Sequence, residues 1–211
     1  MQTRARIDNG ANDVRAAGPG DSVMSQLRAT TLTTVGAGSI TAGMLASGLL
    51  VRTGPTGAYI DTLPTVAQLC AAIPQLTAGD SFTFILQNTV AYANTLAVGT
   101  GWTLGSNTAI AASLVREYLI SMTATKPTTV ITATTTNANA TLTAVSDDNL
   151  RALEPGMVLS GTGITAGTTV LAVNLNNSSV VMSAVATATG TTIAITANPT
   201  ATITGIRSST L

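Results

Sequence analysis

The 211-residue chain has no His and a single Cys, Cys70, so it cannot supply a Ser/His/Asp or Cys/His nucleophilic site, or a thiol and imidazole cluster for zinc or haem. Its nine basic and nine acidic residues cancel, and the one Lys is Lys126; a neutral chain of this kind offers little of the phosphate attraction that drives nucleic-acid binding. Polar surface comes mainly from 40 Thr, whose β-branched side chains favour strands over helices.

Seven of the eighteen charges lie in the first 28 positions: Arg4, Arg6, Asp8, Asp13, Arg15, Asp21 and Arg28. With Gly10, Gly18-Pro19-Gly20 and few large apolar groups, residues 1–35 read as an extended arm, either one that gains order by lying across a partner or a floppy tail. No apolar core follows the early positive charges, so a conventional secretory signal is not expected. No run approaches the roughly 18 apolar residues of a membrane helix. The longest candidate, from Ile40 to Val51, is interrupted by Gly43, Ser47 and Gly48.

Residues 36–127 read as a first compact, β-rich module with one short helix. Thr62 is placed as its N-cap, with Pro64 in the first turn; Val66, Leu69, Cys70 and Ile73 recur at helical spacing, and Pro74 ends the segment. Ala78-Gly79-Asp80 turns into a strand over Ser81 to Thr89, where Phe82 and Phe84 alternate with Thr83 and are expected in the core. Further strands are expected over Asn94–Val98, Trp102–Leu104 and Leu114–Thr123. In the last, Leu114, Arg116, Tyr118, Ile120 and Met122 share one face, and Val115, Glu117, Leu119 and Ser121 the other. Both faces are mostly apolar, so this strand is either central or covered by another subunit.

Residues 128–211 read as a second small β-sandwich or barrel. Six short strands are expected, at Val130–Thr134, Thr141–Val145, Met157–Ser160, Thr169–Val173, Ser179–Met182 and Thr192–Thr196, with Asn137, Asn176-Asn177 and Gly190 in the turns. No aromatic residue lies beyond Tyr118, so this module has a core of Val, Ile, Leu, Met and Ala alone. At roughly 25 cal/mol per Å² of apolar surface, so thin a core is marginal in isolation and favours self-association.

Motifs that suggest chemistry have simpler readings. Asp147-Asp148 with Glu154 lacks the carboxylate and Gly spacing of a calcium loop and reads as a solvated loop. Gly161-Thr-Gly-Ile-Thr-Ala-Gly167 is followed by no Lys and by a strand, so it reads as a pair of tight turns rather than a phosphate cradle. Arg116 and Glu117 point to opposite faces, which makes them candidates for contacts between subunits rather than a mutual pair, and Trp102 is a core or interface anchor. No catalytic residue, cofactor or metal ligand is expected.

Two stretches carry a resemblance. Leu63-Pro-Thr-Val-Ala-Gln-Leu-Cys-Ala-Ala-Ile-Pro, with Ala78-Gly-Asp-Ser-Phe-Thr-Phe-Ile-Leu-Gln-Asn-Thr and Leu96-Ala-Val-Gly-Thr-Gly-Trp-Thr-Leu, resembles a module of tailed-phage virion surface proteins, including capsid decoration (cement) proteins. Pro155-Gly-Met-Val-Leu-Ser-Gly-Thr-Gly-Ile-Thr-Ala-Gly-Thr-Thr-Val, followed by Val180-Val-Met-Ser, is similar to β-modules found throughout phage structural proteins. The resemblance implies a virion protein on the capsid exterior, made in the host cytoplasm, self-associating as a homotrimer and partnered by the major capsid protein. Arg4, Arg6 and Arg15 are then the expected capsid contacts, and Trp102, Arg116 and Glu117 the expected subunit interface. The rival expectation is a receptor-binding tail fibre or adhesin.

Overall fold

The computed structural model describes residues 28–210, so most of the expected arm, with Arg4, Arg6 and Arg15, lies outside the described residues. The protein is mainly β. Strands β1 (Arg28–Leu32) and β2 (Gly38–Ser39) lead into helix α1 (Ala42–Ser47). Strands β3 (Gly48–Arg52) and β4 (Tyr59–Thr62) lead into α2 (Val66–Ala72), and β5 (Ser81–Asn88) and β6 (Asn94–Ala97) lead into β7 (Trp102–Leu104). Each turn of the chain stacks on the one before. β1, β3 and β5 pair in parallel to form one wall, and β2, β4 and β6 pair in parallel to form another. The repeated passage from first wall to second makes a short solenoid in which each turn contacts its neighbours.

β8 (Leu114–Ala124) closes the stack, running antiparallel to β5 over its full length. The chain then leaves to build a second unit from β9 (Thr129–Thr135), β10 (Thr141–Leu142), α3 (Asp147–Arg151), β11 (Val158–Gly161), β12 (Val170–Asn174), β13 (Ser179–Met182) and β14 (Gly190–Asn198). Two three-stranded antiparallel sheets, β10-β13-β12 and β11-β14-β9, enclose its core. Finally β15 (Thr200–Thr210) returns to the first unit and pairs antiparallel with β8, from Thr200 opposite Ala124 to Thr210 opposite Leu114. With β7 added in parallel, the first wall becomes a six-stranded sheet of order β1-β3-β5-β8-β15-β7.

There are accordingly two hydrophobic cores. The first gathers Ile40, Leu45, Leu50, Val66, Leu69, Phe84, Leu86, Tyr118 and Ile120, and takes Ala201 and Ile203 from β15. The second is built from Ile131, Leu142, Leu150, Met157, Val180, Met182, Ile195 and similar residues, without an aromatic side chain. The boundary drawn from sequence at residue 128 therefore divides the units differently from the structure: the second is an insertion between β8 and β15, and residues 200–210 belong to the first sheet. Pro199 marks the return, because it ends the ladder of β14 and resets the chain direction.

Local sequence explains the helices. α2 starts three residues later than the spacing suggests, because Thr65 and Gln68 form a reciprocal capping box: the Thr65 hydroxyl accepts from the Gln68 amide at 3.1 Å, and the Gln68 side chain accepts from the Thr65 amide at 2.9 Å. Thr62 stays in β4 and Leu63, before Pro64, stays out of the helix, as a residue preceding proline tends to do. α1 is capped by Thr41, whose hydroxyl accepts from the Met44 amide. α3 occupies part of the stretch read as a loop; Ser146 caps it, Asp147 and Asp148 sit in its first turn and Arg151 in its last, complementing the helix dipole.

Candidate functional site

The two walls of the solenoid meet at a buried polar knot. Arg52 ends β3 and Asp61 lies on β4; both side chains are fully buried, and the Arg52 Nε donates to both Asp61 oxygens at 2.9 and 3.2 Å. The guanidinium also reaches back to the preceding turn. Nη1 donates to the carbonyls of Leu32 (3.0 Å), Thr34 (2.8 Å) and Thr53 (2.8 Å), and Nη2 donates to that of Gly36. The Tyr59 ring lies beneath it, 4.7 Å from centroid to guanidinium carbon, close enough for a cation–π contact.

The knot extends into the next turn. Asn94 Nδ2 donates to Asp61 Oδ2 at 2.7 Å, the Tyr59 hydroxyl donates to Asn88 Oδ1 at 2.7 Å, and Asn88 Nδ2 donates to the carbonyls of Tyr92 and Ala111. Burial pushes the Tyr59 phenol up to about 12, with the Asp61 charge adding to the rise while the Asn94 hydrogen bond and Arg52 oppose it. Chemically the arrangement is a clamp. Arg52 holds the loop from Leu32 to Gly36 against β3 and β4, and its charge is already matched by Asp61. Sequence reading passed over this site, although a signal was present: Arg52 and Asp61 are the only charged residues between positions 29 and 79, and they have opposite sign.

The structure separates the residues expected at a subunit interface. Trp102 lies within the first core at 9% exposure, and its indole nitrogen donates to the Pro64 carbonyl at 2.6 Å, so it anchors β7 against the start of α2. Arg116 and Glu117 point to opposite sides of β8, as the alternation requires. Arg116 lies on the inner side, where Nη1 donates to the Asn107 carbonyl at 2.8 Å and Nε is buried without a hydrogen-bond partner among the described residues. Glu117 is on the outer side, 3.9 Å from Arg207 Nε. Cys70, half-buried on α2, packs against the first core, and burial raises its thiol above the usual value.

That outer side is a continuous face. Register places Ala29, Leu49, Ile85, Glu117 and Arg207 in one row across five strands, and Thr31, Val51, Gln87, Val115 and Ser209 in the next. Thr83, Leu119 and Thr204 form a third row, and Ser81, Ser121, Thr202 and Thr103 a fourth. α1 covers the other side of the sheet: Leu45 enters the core, and Ser47 lies 3.3 Å from the inward hydroxyl of Thr30. A groove of about 220 Å³ runs between Ile85, Val115, Glu117 and Arg207.

In the second unit, the Gly161–Gly167 segment folds as the tight turns read from sequence, with the Ile164 amide donating to Gly161 O and the Thr168 amide to Thr165 O, both at 3.1 Å. The acidic trio does not converge. Asp147 and Asp148 lie on α3, whereas Glu154 Oε1 accepts from the amides of Lys126, at 2.6 Å, and Thr125. Lys126 Nζ in turn donates to the carbonyls of Arg151 and Leu153, and the Thr200 hydroxyl to that of Gly156 at 2.7 Å. Glu154 therefore braces the outgoing crossing between the two units. No group of three or more potential metal ligands lies among the described residues, and none of their helices is long and apolar enough to cross a membrane.

No protein family, curated protein or solved structure matches the chain.

Proposed function

We propose that this chain is a structural virion protein that binds the outside of a tailed-phage capsid and stabilises it by clamping neighbouring capsid subunits. The observation that carries this reading is the outer face of the six-stranded sheet. Parallel strands are ordinarily covered on both sides, yet here Leu49, Val51 and Ile85, on the side of the sheet away from the first core, keep part of their surface exposed. A face of this kind is made to be covered by another chain of the assembly in which the protein works.

The construction of the two units suits a mechanical role. Because the second unit is an insertion, two crossings of the chain join it to the first, and Glu154, Lys126 and Thr200 tie the crossings to it. Force applied to one unit is therefore carried by two strands. Each bound copy would touch several neighbours, and such multivalency raises the local concentration of every contact.

Co-sedimentation with empty capsid shells tests the reading: the full chain is expected to saturate the shell surface in many copies, and failure to bind would contradict it. Copy number separates it from a tail fibre or adhesin, which would be confined to the few positions of a tail. Removing residues 1–27, with Arg4, Arg6 and Arg15, should lower occupancy on the same shells; unchanged occupancy would count against a gripping arm.

A further inference from the structure

The outer face of the sheet carries a specific charge pattern. Among its rows, Glu117 and Arg207 are the only charged residues, they are neighbours on β8 and β15, and the face is otherwise Leu, Ile, Val, Ala, Thr, Ser and Gln. Within one chain they are poorly matched. The 3.9 Å separation is at the limit of an ion pair, and the Arg207 side chain is 84% exposed, reaching into solvent. One acid beside one base, set in a neutral apolar surround, is complementary to its own image about a rotation axis passing close to the pair.

The dimensions fit such a contact. Six strands at about 4.8 Å spacing and four rows of outward residues give a projected area of about 500 Å², the order of the ~800 Å² of accessible surface that each partner contributes to a standard interface. Leu49, Val51, Ile85, Val115 and Leu119 are half-buried in the single chain, so they form a central apolar patch with Glu117 and Arg207 beside it.

We propose that a second copy of this chain docks on the outer face of the six-stranded sheet, with Glu117 of each copy paired to Arg207 of the other. This rests on the reading above, in which the face is covered within a surface assembly, and it names a second copy of this chain, in line with the self-association expected from sequence, as what covers it. The contact exchanges a long, solvated pairing within the chain for a desolvated one between chains, beside five apolar side chains removed from water.

The test uses charge reversal in the full chain, with mass measured by analytical ultracentrifugation and folding checked by circular dichroism. Wild type is expected to sediment as a dimer, because a reciprocal contact about a two-fold axis closes at two copies, rather than as the homotrimer expected from the resemblance. Glu117→Arg and Arg207→Glu should each weaken association by about tenfold or more, since like charges then face each other. The double variant E117R/R207E should restore association, because both partners of every pair are exchanged together. Rescue of this kind cannot arise from misfolding of the single variants.

Wild type that sediments as a single chain overturns the proposal, whether the face is then covered by residues 1–27 or by a different protein. Oligomers insensitive to both reversals overturn it as well. Shell binding, scored on the same samples, keeps the two claims apart: a monomer that still coats shells removes this inference and leaves the capsid reading standing, whereas a rescued oligomer that ignores shells does the reverse.

Discussion

Replacing Asp61 by Asn keeps the shape of the side chain and removes its charge, leaving the Arg52 guanidinium buried without a counter-ion. The amide keeps one acceptor oxygen and sets an NH2 donor where the other stood, so one of the Nε contacts of 2.9 and 3.2 Å is lost and the acceptors left to Arg52 and Asn94 lose their charge. Breaking a buried pair by neutralising one partner costs about 3–5 kcal/mol, a large part of the ~5–15 kcal/mol that holds a typical domain together. With an m-value of about 2 kcal/mol/M, the urea midpoint should fall by about 1.5–2.5 M. Trp102 is the only Trp and lies in the first core, so its fluorescence reports the unit that contains the knot. Arg52→Met should cost at least as much, because it also strips a donor from the carbonyls of Leu32, Thr34, Gly36 and Thr53. A midpoint shift corresponding to less than about 1 kcal/mol for Asp61→Asn would refute the assignment of the pair as the clamp of the solenoid.

Four further outcomes follow from the same geometry. Tyr59 and Tyr118 both have phenols raised by burial, so the folded state favours their neutral forms; that stabilisation is complete below pH 10 and is lost as the pH climbs through about 12 for Tyr59. Melting temperature should therefore drop steeply above pH 10 and less steeply in Tyr59→Phe; in a Tyr92→Phe background, which removes the exposed third tyrosine, tyrosinate absorbance appearing at pH 10 in a still-folded chain would contradict this. Gly101 has φ +92° and a Cβ there would lie 2.3 Å from the Pro199 carbonyl, so Gly101→Ala should cost about 2 kcal/mol or more by thermal melt. Gly57, with open space around it, should accept Ala within about 0.5 kcal/mol of wild type. Glu154→Ala orphans the amides of Thr125 and Lys126; a loss of about 1–3 kcal/mol, with faster hydrogen exchange confined at first to residues 123–128, is the expected result.

Local alternation was legible in the sequence where it decides a strand. Phe82 and Phe84 on β5, and Tyr118, Ile120 and Met122 on β8, point inward as their spacing requires, and β8 is central because β5 and β15 flank it. Turn chemistry was equally readable around Gly161–Gly167. What escaped sequence reading was long-range pairing. β1 belongs to the sheet only through its parallel register with β3, and nothing between residues 28 and 52 records that partnership locally. β15 was placed with the second module, because nothing after Pro199 points to its partner β8, some eighty residues earlier in the chain. The short helices α1 and α3 have too few residues to show a period, so only their caps betray them.

The proposed docking face was half visible. Alternation placed Glu117 opposite in direction to Arg116 and flagged both faces of that strand as apolar, which the register then extended across five strands. Arg207 could not be connected with Glu117, because a bulge between Gly205 and Arg207 sets that register and no local pattern announces it. The knot around Arg52 was hidden for a related reason: its partners come from three successive turns, and only stacking brings them together.

Electron cryomicroscopy of particles assembled in the presence of this protein shows directly whether it binds the capsid. Its density is expected to repeat over the outer surface of the shell, bridging adjacent capsid subunits. Density confined to the tail, or particles lacking the protein altogether, would contradict this.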